Sequence, residues 1–510
     1  MKPQLFTSLK GYKIKDLPKD LFAGLMVAII ALPLSIALGI QSVPETIPGG
    51  IQFGIITAIV AGFFISALGG SRYQIGGPTA AFVVILFSYL SNPDIGVLGL
   101  AIATMIAGVI LIVMGLLRCG NVMKFFPYPI TIGFTTGIGI TLFIGQIKDF
   151  CGFTASGTEA IEKIISYIEN ISTFDLATFG IGALGLLCVI LLPKLNKKIP
   201  SAFVALIVCT LATYLLNTFA NTEIATIGSR YGDIKAGFFP IDFSGISEVK
   251  FSALIVPSVV IAFLCAIESL LSATVAAGMT NTAFDANQEL VGQGVANICS
   301  SLLGGLPATG AIARTAAGIE NGAKSPLTGV FHALFLLLLY FALMSVVKLI
   351  PLAVFSAILM SVAINMSRFK LFARLTRFGV RDVIILIVTC VLTVAFDLTY
   401  GVLGGVAVTV LANVKNFKTG LKLSVEGGVV FAVGTLFFAN ANKLVGFVEK
   451  QLEDATSITV DLSEIQRIDE TAIEKLSTLV KKTEAQGKAV EFIGANERVQ
   501  HRLDKYLCKI

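Results

Sequence analysis

Tryptophan is absent from this 510-residue chain, and histidine occurs only twice, at His332 and His501. One of the two lies in an apolar run and the other in a polar tail, which argues against a histidine-based hydrolase or a metal centre. Eight cysteines are present, most of them inside apolar runs, and no CxxC pair occurs. Neither a zinc site nor a disulfide framework is indicated, and no cofactor is expected. Charge is also scarce. Asp, Glu, Lys and Arg make up 14% of the residues, against about 25% in soluble domains. The net charge of +6 is small for this length and gives no sign of a nucleic-acid partner. Nor does the N-terminus read as a cleavable signal, because MKPQLFTSLKGYKIKDLPKD is basic and polar.

What the chain has is apolar length: 55% of its residues are hydrophobic, and the mean hydropathy is +0.86. The lipid bilayer is therefore the expected solvent. Fourteen segments can be read. The first seven are 20–41, 50–69, 78–91, 95–117, 126–147, 173–192 and 201–219. The second seven are 252–276, 286–304, 308–319, 326–349, 352–366, 381–397 and 400–416. Segments 78–91 and 308–319, third in each set, are too short for a crossing, which takes about 20 helical residues. Basic residues set the orientation. Lysines at 2, 10, 13, 15 and 19, the cluster Lys194, Lys197 and Lys198, the cluster Arg368, Lys370, Arg374, Arg377 and Arg381, and Lys415, Lys418 and Lys422 all fall on the cytoplasmic side if the N-terminus is inside. The cell membrane is the expected location. Residues 1–420 form the expected transmembrane domain. Residues 422–510 alternate strand-like and helix-like runs and read as a small α/β cytoplasmic domain.

The two short segments begin alike, GGPTAAFVVIL and GGLPATGAIART. Proline suits the first turn of a helix, so each reads as a half-helix that starts inside the membrane at Pro78 or Pro307. Helix N-termini attract anions, and broken helices at matching places in two halves point to a transporter's binding site. An acid, Glu268, stands in the apolar run AFLCAIESLLSA, and Arg314 lies inside the second short segment. Ionisable groups at membrane depth are costly and are functional by default. Two readings of Glu268 stand at this point: a carboxylate that gains and loses a proton, or a fixed charge paired with Arg314. Arg314 itself either adds positive potential to an anion site or pairs a carboxylate. Asp285, Glu289 and Asp397 are expected at interfaces, and Asp20 at a helix start.

The stretches GSRYQIGGPTAAFVVIL, AIESLLSATVAAGMTNTAFDANQELVGQGVANICSSLLGGLPATGAIART and VDLSEIQRIDETAIEKL resemble the SulP family of anion transporters, which end in a STAS domain. The resemblance implies a fourteen-segment fold of two inverted seven-segment repeats and a homodimer. It also implies an anion site between segments three and ten, closed by segments one and eight. Carried over, the substrate-binding positions are Ser35, Pro78, Thr79, Ala80, Ala81, Thr309, Gly310, Ala311 and Ile312. Glu268 is the coupling position, and Ser272 and Arg314 support the site. Three departures are visible: Ala277 replaces an acid, Leu34 replaces a glutamine, and Glu268 with Ile312 replaces the Asp and hydroxyl typical of sodium-coupled members. Protons are thus the expected coupling ion. The stretches near 133–152 and 77–86 most resemble the branch that carries C4-dicarboxylates.

In the tail, the resemblance puts Thr471 at a phospho-acceptor position, while Asp469 suits a helix N-cap. The expected function is secondary transport of sulfate or a C4-dicarboxylate such as succinate, with no enzymatic activity. Bicarbonate or chloride exchange is the alternative within the family. A nucleobase permease, or a channel or sensor whose tail binds a regulatory protein, are the alternatives outside it.

Overall fold

The computed structural model describes the chain except residues 121–127, 156, 158–159, 197–198, 233, 281, 368–379, 397, 453–454, 485–486 and 508–510. Lys197, Lys198, Arg368, Lys370, Arg374, Arg377 and Asp397 lie outside the described residues.

A helix occupies each of the fourteen apolar segments. They are α1 (Leu17–Ser42), α2 (Gly50–Leu68), α3 (Ala80–Ser91), α4 (Gly96–Leu116), α5 (Tyr128–Cys151), α6 (Leu176–Leu195) and α7 (Ser201–Phe219). The second set is α8 (Phe251–Thr280), α9 (Ala286–Leu302), α10 (Ile312–Glu320), α11 (Leu327–Val347), α12 (Leu352–Met366), α13 (Val380–Ala395) and α14 (Leu398–Thr419). Among the described residues, eight helices are long and apolar enough to cross a membrane. The two half-helices are not. α3 has 12 residues and α10 has 9, so they rise about 18 and 14 Å at 1.5 Å per residue, against about 30 Å of hydrocarbon.

The chain divides into two compact units, residues 1–121 with 138–366, and residues 122–137 with 367–510. In the first unit, α1 packs on α2, α3, α10 and α11, while α9 lies against α2 and α4. α6, α7 and α12 pack on one another, and α1 also touches α7 and α12. The C-terminal half of α5 joins this second group: Phe150 clusters with Ala357 and Met360 of α12. Buried apolar side chains, among them Ile36, Ile55, Leu336 and Phe355, fill the layer between these helices.

The second unit holds the start of α5, α13, α14 and a mixed sheet. β3 (Leu421–Glu426) pairs antiparallel with β4 (Val429–Leu436). β4 then pairs parallel with β5 (Ser457–Asp461) and with β6 (Ile465–Ile468), and β5 pairs parallel with β7 (Ala489–Ile493). Helices α15 (Ala441–Gln451), α16 (Glu470–Glu484) and α17 (Glu497–Leu507) complete it. Leu444, Val448, Ile473, Leu476 and Leu503 recur at helical spacing and are buried with Val430, Val460 and Ile465 from the sheet.

Candidate anion site

The short segments differ from the expected proline-started helices. Pro78 and Pro307 both lie outside helix. Chain 76–77 forms a two-residue strand, β1 (Gly76–Gly77), which pairs antiparallel with β2 (Thr309–Gly310), Gly76 opposite Gly310 and Gly77 opposite Thr309. α3 then starts after Thr79 and α10 after Ala311. Proline's fixed φ favours extended chain here as well as helix N1. The crossing decides between them, because backbone N–H and C=O groups at membrane depth need partners and the strand pair supplies them.

Glycine is required where the strands meet. Gly77 has φ +147°, and a Cβ there would overlap Nη1 of Arg314. A Cβ on Gly310 would overlap the Gln74 side chain.

Polar side chains of α8, α9 and α2 hold the crossing. Ser269 Oγ shares a hydrogen bond with Thr309 Oγ1 at 2.7 Å and accepts the Gly310 N–H at 3.0 Å. Asn297 accepts the Ala308 N–H at 2.8 Å and donates to the Ala308 carbonyl at 2.9 Å. Thr57 Oγ1 accepts the Leu306 N–H at 2.6 Å. Gln74 donates to the Ser269 carbonyl and accepts from Ser272 Oγ, each at 3.0 Å. Thr315 Oγ1 accepts the Ile75 N–H at 3.1 Å.

The expected site residues therefore fall into two groups. Thr309 and Gly310 are buried with their polar groups taken by Ser269, and the Ala311 N–H donates to the Ile75 carbonyl at 2.9 Å. Ser272 is fully buried and holds Gln74. These residues build the crossing, and their polar groups are engaged in it. At the helix starts, Ala80 and Ala81 of α3 and Ile312 and Ala313 of α10 occupy the first-turn positions whose N–H groups have no partner within a helix. Ile312 is 38% exposed. Ala313, absent from the expected set, is exposed beside it. Counting residues from the helix start, not from the proline, is the signal that would have found it.

Glu268 lies on α8 and accepts from Thr79 Oγ1 at 2.8 Å. Thr79 is the residue that precedes α3, so the carboxylate sits at the positive end of that half-helix.

Arg314 is 1% exposed. Its Nη1 donates to the Gly76 carbonyl, and its Nη2 donates to the Pro78 carbonyl and to Ser35 Oγ, all at 3.2 Å. The pairing with Glu268, one of the two readings the sequence leaves open, is not made. Among the described residues, no ion pair involves either group. The reason is reach. Arg314 stands at the third position of α10, and its side chain reaches the Gly76 and Pro78 carbonyls on either side of Gly77 and the Ser35 hydroxyl of α1. Ser35 is likewise corrected. It is fully buried, donates to the Ala31 carbonyl at 2.7 Å and anchors Arg314, so its hydroxyl is engaged within the scaffold.

Of the other acids, Glu289 departs from its expected place, while Asp285 and Asp20 stand at helix starts. Glu289, expected at an interface, is fully buried on α9 and accepts the N–H groups of Gly70 (2.9 Å) and Ser71 (3.1 Å). Asp285 caps α9. Asp20 is fully buried and accepts from Tyr12, Lys324, Ser325 and Thr328, which fixes the start of α1 to the approach to α11. In the tail, Asp469 accepts the Ala472 N–H at 2.8 Å and so caps α16. Thr471 is 3% exposed, and its Oγ1 accepts the Tyr128 N–H at 3.0 Å. A phosphoryl donor reaches that hydroxyl only after the contact opens.

Comparison with known proteins agrees with this architecture. Residues 17–389 match the sulfate permease family, and residues 421–507 match the STAS domain. The chain is 40% identical over 398 residues to the putative sulfate transporter YvdB of Bacillus subtilis, covering 78% of this chain and 73% of that one. It is 28% identical over 528 residues to the bicarbonate transporter BicA of Picosynechococcus, covering 96% and 91%. The solved transmembrane domain of a cyanobacterial BicA superposes with TM-score 0.69 at 29% identity, covering 77% of this chain and 98% of that one. Murine Slc26a9, an anion transporter solved in the inward-facing state, superposes with TM-score 0.72 at 18% identity over 99% and 90%, a likeness of fold. The chain belongs to the sulfate permease family of anion transporters and carries a C-terminal STAS domain.

Proposed function

We propose that this protein is a secondary transporter that takes up sulfate or a C4-dicarboxylate together with protons, by alternating access. One observation carries the reading: a carboxylate, Glu268, occupies the positive end of half-helix α3 through Thr79, and among the described residues no cation pairs with it. An anion arriving at the first-turn N–H groups of α3 and α10 meets that charge. A proton on Glu268 removes the repulsion and leaves the N–H groups to the anion, so the two bind together. Arg314, with no carboxylate partner among the described residues, adds positive potential behind the crossing.

The 40% identical relative is a putative sulfate transporter, which favours sulfate. Bicarbonate is the second reading, favoured by the BicA relatives that align over 96% of this chain. Residues 1–420 are read as the transport domain and 422–510 as the cytoplasmic tail, with the N-terminus inside.

The test is uptake of radiolabelled sulfate, succinate, fumarate and bicarbonate into proteoliposomes, with and without an inward proton gradient. Sulfate or succinate uptake is expected to rise as external pH falls. In Glu268→Gln the uptake is expected to lose its pH dependence. Uptake that ignores pH in both proteins removes the coupling role. Uptake of none of these anions removes the substrate reading.

A further inference from the structure

A charged cluster stands at the end of the first unit where α1 and α5 finish. Glu45 lies in the turn after α1. Lys148 and Asp149 are in the last turn of α5. Arg230 lies on the short helix Ile227–Tyr231. Arg230 Nη1 donates to Asp149 Oδ1 at 2.8 Å and to Glu45 Oε1 at 3.3 Å, and Lys148 Nζ donates to the same Glu45 oxygen at 3.2 Å. Gln41, in the last turn of α1, donates to Asp149 Oδ2 at 3.4 Å.

The two sides of this cluster belong to different helix groups. Glu45 and Gln41 go with α1. Through Ser35 and Arg314, α1 is bonded to α10 and to the strand crossing, so it moves with the anion site. Lys148 and Asp149 go with α5, which packs on α12. Arg230 is fixed beside them. The Ile227 N–H donates to the Ile350 carbonyl at 2.9 Å and the Gly228 N–H to the Lys348 carbonyl at 2.8 Å, in the turn that joins α11 to α12. The Leu352 N–H donates back to the Ala225 carbonyl at 3.0 Å.

Exposure separates the pairs. The Asp149 side chain is 12% exposed and that of Glu45 is 52%. Arg230 and Asp149 thus form a fixed base within one group, and Glu45 is the detachable arm from the other. Any motion that carries the anion site away from α5 and α12 at this end must separate Glu45 from both of its cations.

We propose that Glu45, Lys148 and Arg230 form an electrostatic latch that holds this end of the transporter closed. With the orientation proposed above, it is the outer end, and the inference rests on that transport reading. The latch is weak by design of its exposure. An exposed pair of this kind shifts a two-state population by about two- to five-fold, enough to set a resting bias and small enough to release during a transport cycle. Conformational release of Glu45 leaves Lys148 and Arg230 facing the open end.

The test uses the full chain in liposomes with its native cysteines replaced. Spin labels at Thr46→Cys and Glu169→Cys, one in the α1–α2 turn and one in the helix Ala160–Glu169, report the distance across this end. In the otherwise unmodified protein the short distance is expected to dominate. Glu45→Gln is expected to raise the long-distance population about two- to five-fold. Glu45→Lys is expected to raise it further, and combining it with Lys148→Glu to return it toward the starting value. Unchanged distances in Glu45→Gln, or no recovery in the charge-swapped protein, overturn the latch. Should the charge-swapped protein not fold, salt is the second measurement. Raising it from about 0.05 to 0.5 M shortens the screening length and is expected to lengthen the mean distance in the labelled protein but not in Glu45→Gln. The same response in both proteins also overturns the latch. Failure of anion uptake bears on the transport reading alone, because the distance measurement needs no flux.

Discussion

Arg314 brings a full positive charge to a buried position and is held there by two carbonyls and a hydroxyl. Arg314→Ala strips donors from all three acceptors, and each unsatisfied buried group costs about 1–3 kcal/mol. The expected result is loss of folded protein, read as a lower melting temperature in detergent. Arg314→Lys keeps the charge but cannot bridge Gly76, Pro78 and Ser35 at once. It is expected to fold and to lower anion uptake, measured as initial rates. Thr79 offers a cleaner separation of roles. Thr79→Val removes the donor to Glu268 and is expected to depress uptake, while Thr79→Ser restores it. Equal activity in the two variants would show that the hydroxyl is idle.

At the scale of elements, the short strand pair β1–β2 is the least predictable feature and the most constrained. A β-branched or even a methyl side chain at Gly77 meets the Arg314 guanidinium and must also adopt φ +147°. Gly77→Ala is therefore expected to lower the melting temperature more than a Gly→Ala change at exposed Gly278 in α8, where nothing lies within 4 Å. Helix α16 supplies a pH-dependent counterpart. Burial, with a smaller contribution from the Asp382 charge, pushes the Asp469 carboxyl up to about 7, against the pull of the Ala472 and Phe438 N–H groups. An acid whose folded pKa is raised binds more protons folded than unfolded. Its ionisation thus subtracts stability as pH rises from its unfolded value, 3.8, to about 7, and the loss is complete above that. Asp469→Asn mimics the protonated form. It is expected to flatten the decline of melting temperature between pH 5 and pH 8 and to raise the value at pH 8.

For the whole molecule, the proposed stoichiometry has an electrical consequence. Sulfate with one proton on Glu268 carries a net single negative charge through the cycle. A negative interior potential, imposed with a potassium gradient and valinomycin, is then expected to slow sulfate uptake. Indifference to potential would mean that a second proton accompanies the anion, and that Glu268 is not the only carrier.

The helices were legible because each is a long apolar run, and the hydrocarbon core permits few conformations for such a run. The shortness of segments three and ten was visible in the same way, as was the STAS-like alternation after residue 421. The roles of single polar residues were not. The resemblance implies that Ser35 and Thr309 bind substrate and that Ser272 supports the site, and in the structure their hydroxyls hold Arg314, the strand crossing and Gln74. Glu268 and Arg314 looked like natural partners, two opposite charges in apolar surroundings. Sequence fixes which residues are apolar enough to enter the membrane and which charges must find partners there. Which partner each finds depends on the side to which a side chain reaches once chain segments more than 200 residues apart cross. That is a property of three-dimensional packing: Arg314 reaches across β1 to α1, and Glu268 is left at the start of α3 with a hydroxyl instead of a cation.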